Sequence, residues 1–421
     1  MIDAWGEKME TILRKFAHKV MLSQRFSPHD MYEELEDKFQ AYGYREPLQD
    51  AEKILVISLN AIGDNVLYSA FVRELRRNYP KSYIAMLVTP LVYPLVEMCP
   101  YVNKVWKLDY NPHEEVSAFF PRFMEFVCQH LLPHRFSLSF CVQWSDDKRP
   151  MNLLAYLSGA RQRAAISDKS ILAYNENFRL RDQWEFLLTH PVTTPIELTH
   201  EAERALYVLT ALGKNIVDTG TEVWLDAGDR YRAGRFTAGW SRYIVLGIGA
   251  GAANRKYPLD KWLTAMQEIY SRYQIPFVIC GGRAEAADGN ALEAQMPQGS
   301  LLNIAGKTSL RETAALIAGA YCYLGNVTGA MHMAAAANTP LITLFREAQV
   351  RAEAPAGIYS ESTRFAPWQA QAIVLQPDVA QGECLQTVIY GGCREEYAHC
   401  IAQIKPQEIV NAFAYLAEHF H

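Results

Sequence analysis

Lys53-Ile-Leu-Val-Ile-Ser-Leu-Asn-Ala-Ile-Gly-Asp64-Asn65 decides how this chain is read. Ile54 to Leu59 has the apolar, β-branched character of a parallel strand buried on both faces. The run breaks at Ala61-Ile-Gly63, and the turn presents Asp64 at the mouth of a following helix. That helix is expected over roughly Val66 to Asn78, with Leu67, Phe71 and Leu75 on one stripe and Arg73, Arg76 and Arg77 elsewhere. Ligands of open α/β sheets bind outside the carboxyl ends of the strands, which is where Asp64 falls. An acid there can accept a proton from a substrate hydroxyl. Asp is also a preferred helix N-cap, and this segment alone does not choose between the two roles.

Working outward, 421 residues exceed the usual size of one core, so two α/β domains are expected. Half of the residues are hydrophobic and 21% are charged, as in an ordinary soluble enzyme. A net charge of −5 argues against general nucleic-acid binding, which wants a basic surplus. Eight scattered cysteines with no secretory leader point to a reducing, cytoplasmic setting. No apolar run approaches the roughly 18 residues of a spanning helix. Work at a membrane surface stays compatible with this.

The first fifty residues differ from the rest. Trp5, Met9, Ile12, Leu13, Phe16 and Val20 recur at helical spacing among Lys8, Arg14, Lys15 and Lys19, and an acidic helical piece follows around His29 to Tyr42. This N-terminal helical extension (residues 1–50) either lies on an anionic bilayer or packs on the domain or a partner subunit. The short, weakly cationic stripe favours packing.

From residue 51 to 225 strand and helix alternate: strands at Tyr83–Val88 and Phe136–Val142, helices at Glu114–His130 and Thr199–Leu212, the last ended by Gly213. Residues 226–242 carry charges and glycine turns with little periodicity, and the domain boundary is placed there. Alternation restarts with a strand at Tyr243–Ile248, a helix at Leu259–Tyr273 and a strand at Ile275–Cys280. A helix at Ala284–Met296, then strands from Tyr321 and over Pro340–Phe345, complete the second domain, residues 243–405. A C-terminal helix (residues 406–421) starts at Pro406. Strands separated by helices imply parallel sheets with right-handed crossovers. The expected fold is α/β, two Rossmann-like domains facing a central cleft.

Three loops at the carboxyl ends of the second-half strands share one theme. Gly247-Ile-Gly249-Ala-Gly251-Ala-Ala-Asn-Arg255-Lys256 is small, then delivers two cations. Small residues let backbone N–H groups approach an anion, and a lysine supplies a compact charge. The spacing matches neither standard nucleotide loop, and a generic turn is nearly as good a reading. Gly281-Gly282-Arg283-Ala284-Glu285 sets a carboxylate at a helix start, where it favours the dipole or accepts from ribose hydroxyls. Gly325-Asn326-Val327-Thr328-Gly329-Ala330-Met331-His332 opens a helix of small residues suited to close approach of a phosphate. His332 alone is more often structural than catalytic. Together the loops describe a nucleotide diphosphate held by the second half, with Asp64 offered as base. No D-x-D pair occurs, so a metal-bridged diphosphate is disfavoured, and neither metal nor cofactor is expected.

In order and spacing these motifs resemble glycosyltransferase family 9, the heptosyltransferases of lipopolysaccharide inner-core assembly. Carrying the resemblance are Ile62-Gly63-Asp64, Gly249-Ala-Gly with Lys256-Tyr-Pro258-Leu-Asp-Lys-Trp262, Gly281-Gly-Arg-Ala-Glu285, Ala305-Gly-Lys-Thr-Ser-Leu310, and Gly325-Asn-x-Thr328-Gly329-Ala-Met-His332. It spans about Ile54 to Val410. The resemblance implies the GT-B fold and inverting, metal-independent transfer from a nucleotide-activated heptose, usually ADP-heptose, to a lipopolysaccharide-type acceptor. By it, Asp64 aligns with the general base, Lys256 with the phosphate-contacting lysine and Glu285 with the acid near the ribose. Thr328 and Gly329 align with the diphosphate cradle, and His332 with the histidine that closes the motif. The chain departs at Val327, where the family usually has Asp, and at Ala330, where it usually has Pro.

Gln143, Arg149, Arg161 and Arg163 are candidate contacts to an anionic glycolipid acceptor on the first domain. The expected site of action is the cytoplasm, with peripheral contact at the cytoplasmic face of the inner membrane compatible. Cys384, Cys393 and Cys400 are too loosely spaced for an ordinary zinc site, and buried thiols are favoured over a metal. Two other functions compete. A non-catalytic saccharide-binding homologue is suggested by Val327, but the presence of Asp64, Lys256 and Glu285 together weighs against it. A nucleotide-sugar epimerase shares the architecture and lacks support from the ordered motifs.

Overall fold

The computed structural model describes residues 48, 50–109, 116–143 (backbone alone at 116–120), 151–167, 170, 185–349, 361–379, 381 and 399–420. The N-terminal extension apart from residues 48 and 50, together with Arg149, Cys384 and Cys393, lies outside them.

The first sheet comprises β1 (Lys53–Ser58), β2 (Tyr83–Val88), β3 (Lys104–Lys107), β4 (Leu138–Cys141), β5 (Gln162–Ile166) and β6 (His190–Val192), in the order β3-β2-β1-β4-β5-β6. Every pairing is parallel. The second comprises β7 (Ile244–Gly247), β8 (Phe277–Ile279), β9 (Leu301–Asn303), β10 (Cys322–Asn326), β11 (Leu341–Leu344) and β12 (Ala372–Leu375), all parallel. Read from β9, its order is β9-β8-β7-β10-β11-β12, the same 3-2-1-4-5-6 winding. The order therefore reverses between β1 and β4 in one sheet and between β7 and β10 in the other, the points at which such folds hold ligands.

Each sheet has its own core. Leu55, Ile57, Phe123, Phe136 and Leu154 belong to the first, and Leu246, Trp262, Met266, Phe277 and Phe413 to the second. The helix Leu259–Tyr273 shows the logic. Trp262, Ala265, Met266 and Ile269 form its buried stripe, and Gln274, left-handed at φ 53°, stops it. Trp262 meets Tyr257 edge-on at 5.0 Å between ring centroids, which adds about 1 kcal/mol beyond burial.

The described residues divide into two compact units. The first holds those up to Ala61 and from Ala70 to Thr219; the second holds Ile62–Ser69 and everything described from Gly220 onward. The short segment Ile62–Ser69 therefore belongs to the unit built on the second sheet. Two local features depart from the sequence reading. The helix expected from Val66 starts at Ile62 and runs to Leu67, and a separate helix occupies Ser69–Asn78, because the Ser69 hydroxyl donates to the Val66 carbonyl (2.6 Å) at the break. Within residues 226–242, expected to be irregular, Ala227–Gly234 is a helix with a capping box between Asp226 and Asp229. Asp229 is fully buried and meets Arg232 (2.7 Å) and Arg311 (3.0 Å), the latter on the helix Leu310–Ala318. Charge pairing, which periodicity does not register, holds that helix in place.

Candidate functional site

The first loop is built on glycine. Gly247 and Gly325 are register partners on β7 and β10, and the buried Tyr323 phenol lies against both. A Cβ on Gly325 would come within 2.5 Å of that hydroxyl, so larger residues are excluded. Burial pushes the phenol far above its ordinary pKa, and its oxygen lies 3.4 Å from the Thr328 hydroxyl. Asn326, fully buried at the end of β10, donates to the carbonyls of Ile248 (3.0 Å) and Gly249 (3.2 Å) and accepts from the Tyr257 amide (3.3 Å). One side chain thus pins both ends of the Gly249–Lys256 loop.

Glu285 closes a 3-10 turn (Arg283–Glu285) after β8 and heads the helix Ala286–Glu293. A Cβ on Gly249 would sit 3.1 Å from its carboxyl group, and one on Gly281 would sit 3.2 Å from Oε2. The first and second loops therefore meet at this carboxylate. Lys256 Nζ pairs with Asp288 Oδ2 at 2.8 Å, both side chains about a third exposed. Asp288 stands three residues after Glu285, and that spacing was the available signal for it, since i and i+3 share a helix face.

Thr328 caps the helix Gly329–Ala336, its carbonyl accepting from the amides of Met331 (3.1 Å) and His332 (3.4 Å). The helix Ile62–Leu67, carrying Asp64 in its first turn, packs on it through two glycines. A Cβ on Gly329 would be 2.6 Å from Ile62 Cγ2, and one on Gly63 would be 2.6 Å from His332 Cδ2. His332 is buried, with its ring 6.4 Å from that of Phe365. Asp64, Gly249, Lys256, Glu285, Thr328, Gly329 and His332 thus all fall in the second unit.

The acceptor candidates separate. Gln143 follows β4, beside β1 at the switch point, and its side-chain oxygen is buried with no hydrogen-bond partner among the described residues. Arg161 and Arg163 stand at the amino end of β5, where Gln162 pairs Leu138 at the start of β4. With about 3.3 Å of rise per residue, Arg163 is roughly 13 Å and Arg161 roughly 20 Å from Gln143 along the strand direction. Arg161 is exposed. Arg163 is 4% exposed: Nε donates to the Leu187 carbonyl (2.6 Å), Nη1 to the Ala160 carbonyl (2.6 Å), and the guanidinium stacks on Tyr156 at 5.5 Å. Burial lowers its pKa to about 10. Arg163 therefore has a structural role, because those backbone carbonyls take the donors an acceptor would need. Cys400 takes the Gln381 amide at 3.4 Å, and the described residues hold no His/Cys/Asp/Glu cluster fit for a metal.

A twice-repeated Rossmann winding with a glycine-lined cradle at the carboxyl ends defines an α/β fold of the GT-B kind, and solved structures agree. Glycosyl transferase family 9 from Veillonella parvula DSM 2008 superposes with a TM-score of 0.67 at 19% identity, covering 89% of this chain and 99% of that one. The Escherichia coli ADP-heptose lps heptosyltransferase II gives 0.62 at 20% identity, covering 87% and 99%. In sequence, lipopolysaccharide heptosyltransferase 3 of Escherichia coli is 25% identical over 289 residues, 67% of this chain and 80% of that protein. The family model for glycosyltransferase family 9 (heptosyltransferase) matches residues 153–386, which include every cradle residue except Asp64. The chain belongs to glycosyltransferase family 9 and is a glycosyltransferase of the heptosyltransferase kind.

Proposed function

We propose that the protein transfers a heptose, or a closely related sugar, from ADP-heptose to a lipopolysaccharide-type saccharide, inverting the anomeric carbon without a metal. The observation that carries this is the convergence of Gly249, Glu285, Thr328 and Gly329 at the carboxyl ends of the adjacent strands β8, β7 and β10. Glu285 accepts from the ribose hydroxyls. The amides at the start of the helix Gly329–Ala336, with Lys256, hold the diphosphate. Lys256 must leave Asp288 to do so.

Asp64 takes the proton of the acceptor hydroxyl as that oxygen attacks the anomeric carbon. The bond to the diphosphate breaks on the opposite face, and the nucleoside diphosphate leaves with the electron pair. His332, packed on Gly63, fixes the turn that carries the base. Gln143 is the acceptor contact this reading keeps, since a buried carbonyl oxygen with no partner among the described residues suits a sugar hydroxyl. The absence of a D-x-D pair supports metal independence. Among the described residues no helix is long and apolar enough to cross a membrane. Action on a glycolipid at the cytoplasmic face of the inner membrane is part of the same proposal.

Thermal shift against ADP, UDP, GDP and ADP-heptose in metal-free buffer tests the donor. A ligand at 100 times its Kd stabilises by about 2.7 kcal/mol. Selective stabilisation by ADP and ADP-heptose is expected; selective stabilisation by UDP or GDP would contradict the donor assignment, and no response at all would contradict the transferase reading.

A further inference from the structure

The residue proposed as base is carried by the same unit as the cradle. Ile62–Ser69 follows β1 in sequence, yet it belongs with the second sheet. Both of its ends are tied there. At the first, the helix Ile62–Leu67 packs on the helix Gly329–Ala336. A Cβ on Gly329 would come within 2.8 Å of Ile62 Cβ and 3.3 Å of the Gly63 amide nitrogen. At the other, the Ser69 hydroxyl oxygen accepts from the Glu222 amide at 2.8 Å. The buried His332 ring fills the space beside Gly63, where a Cβ would meet its Cδ2 at 2.6 Å, so the turn is held from this side as well.

A diphosphate on the amides that open the helix Gly329–Ala336 has the anomeric carbon of its sugar two bonds from the distal phosphorus. Gly63 lies against Gly329, and the Cα of Asp64 is one peptide further, about 3.8 Å. Asp64, Thr328 and Gly329 are all partly exposed, so water reaches both the carboxylate and the helix start. A general base acts on whichever O–H lies within hydrogen-bond reach, and water supplies one as readily as a saccharide does. Asp64, Lys256, Glu285, Thr328 and Gly329 all belong to the second unit, so no residue of the first is needed to bring base and donor together.

We propose that base and donor are assembled within the second unit alone, and that the protein therefore hydrolyses its nucleotide sugar when no saccharide is bound. A water oxygen attacks the anomeric carbon and passes its proton to Asp64. The bond from that carbon to the phosphate oxygen breaks, the nucleoside diphosphate leaves with the electron pair, and the proton goes on to solvent. Nothing is oxidised or reduced, and the products are the nucleoside diphosphate and the free sugar. Water is not held in place as a saccharide is, so hydrolysis is slower than transfer and is outrun by it when acceptor is present. This rests on the donor and base reading above, and the experiment separates the two. Full-length wild type and Asp64→Asn are given ADP-heptose in metal-free, heavy-oxygen water, with and without a core saccharide. ADP, free heptose and saccharide mass are followed, and each protein's melting temperature and ADP affinity are recorded. Without saccharide, wild type is expected to release ADP and heptose one for one, with no heavy oxygen in the ADP. Asp64→Asn is expected to do so roughly 10²- to 10⁴-fold more slowly. Wild type that transfers to the saccharide but leaves ADP-heptose intact in its absence would overturn the proposal and spare the reading above. Equal hydrolysis by Asp64→Asn, or ADP that gains heavy oxygen, would overturn it too. Wild type that neither transfers nor hydrolyses would bring down that reading first and this inference with it.

Discussion

At the scale of single residues, the site depends on side chains that are missing. Gly249 and Gly281 are small because the Glu285 carboxylate occupies the space beside them. Gly249→Ala places a methyl 3.1 Å from that carboxyl group, and the carboxylate has to move by a few tenths of an ångström. Since Glu285 is partly exposed and its side chain is flexible, folding should survive. Donor affinity should fall by roughly tenfold, about 1.4 kcal/mol, as calorimetry with ADP would measure. An unchanged affinity would mean that Glu285 does not touch the ribose. These glycines and the carboxylate were legible in the sequence, because small residues followed by an acid form a local pattern. The Lys256–Asp288 and Arg255–Glu361 pairs stayed hidden because their partners lie 32 and 106 residues apart. Arg163 misled for the opposite reason, since an arginine at a strand start looks solvated until the carbonyls of Ala160 and Leu187 are seen around it.

At the scale of elements, the second unit relies on one ion-paired junction. The helix Ala227–Gly234 is held to Leu310–Ala318 by Asp229, Arg232, Arg311 and Glu312, with Asp229 wholly buried. Arg311→Met removes the more buried of the two arginines on Asp229 and leaves Arg232, which is half exposed, to compensate alone. The expected cost is about 3 kcal/mol, in the range for breaking a buried pair. Chemical denaturation would show it as a lower midpoint with an unchanged slope. A loss below about 0.5 kcal/mol would put the junction among the surface pairs that contribute little. Elements with strong apolar periodicity were legible: Tyr83–Val88 and Leu259–Tyr273 occur as expected. Short edge strands such as β3, β6, β9 and β12 were not, because three or four residues carry no period. The helix at Met151–Leu157 was lost differently, since all of its residues are buried and it shows no polar face.

At the scale of the whole molecule, one winding is used twice. Both sheets follow the order 3-2-1-4-5-6, and both switch points carry residues of the proposed reaction: Asp64 and Gln143 after β1 and β4, Gly249 and Thr328 after β7 and β10. That placement was legible from the alternation of strand and helix, since parallel winding forces loops of one kind to one edge. The segment Ile62–Ser69, next to β1 in sequence, belongs to the second unit, and alternation did not indicate this. Gly63 and Gly329, through their contacts with His332 and Ile62, supply the physical reason. The decisive measurement is transfer itself: wild-type protein and Asp64→Asn, each given ADP-heptose and a lipopolysaccharide core saccharide without metal, with ADP release and the mass of the saccharide followed together. Wild type is expected to add one heptose per ADP released, and Asp64→Asn to bind ADP normally but turn over roughly 10²- to 10⁴-fold more slowly. Transfer by Asp64→Asn at the wild-type rate, or ADP-heptose left intact by wild type, would contradict Asp64 as the base of a heptosyl transfer.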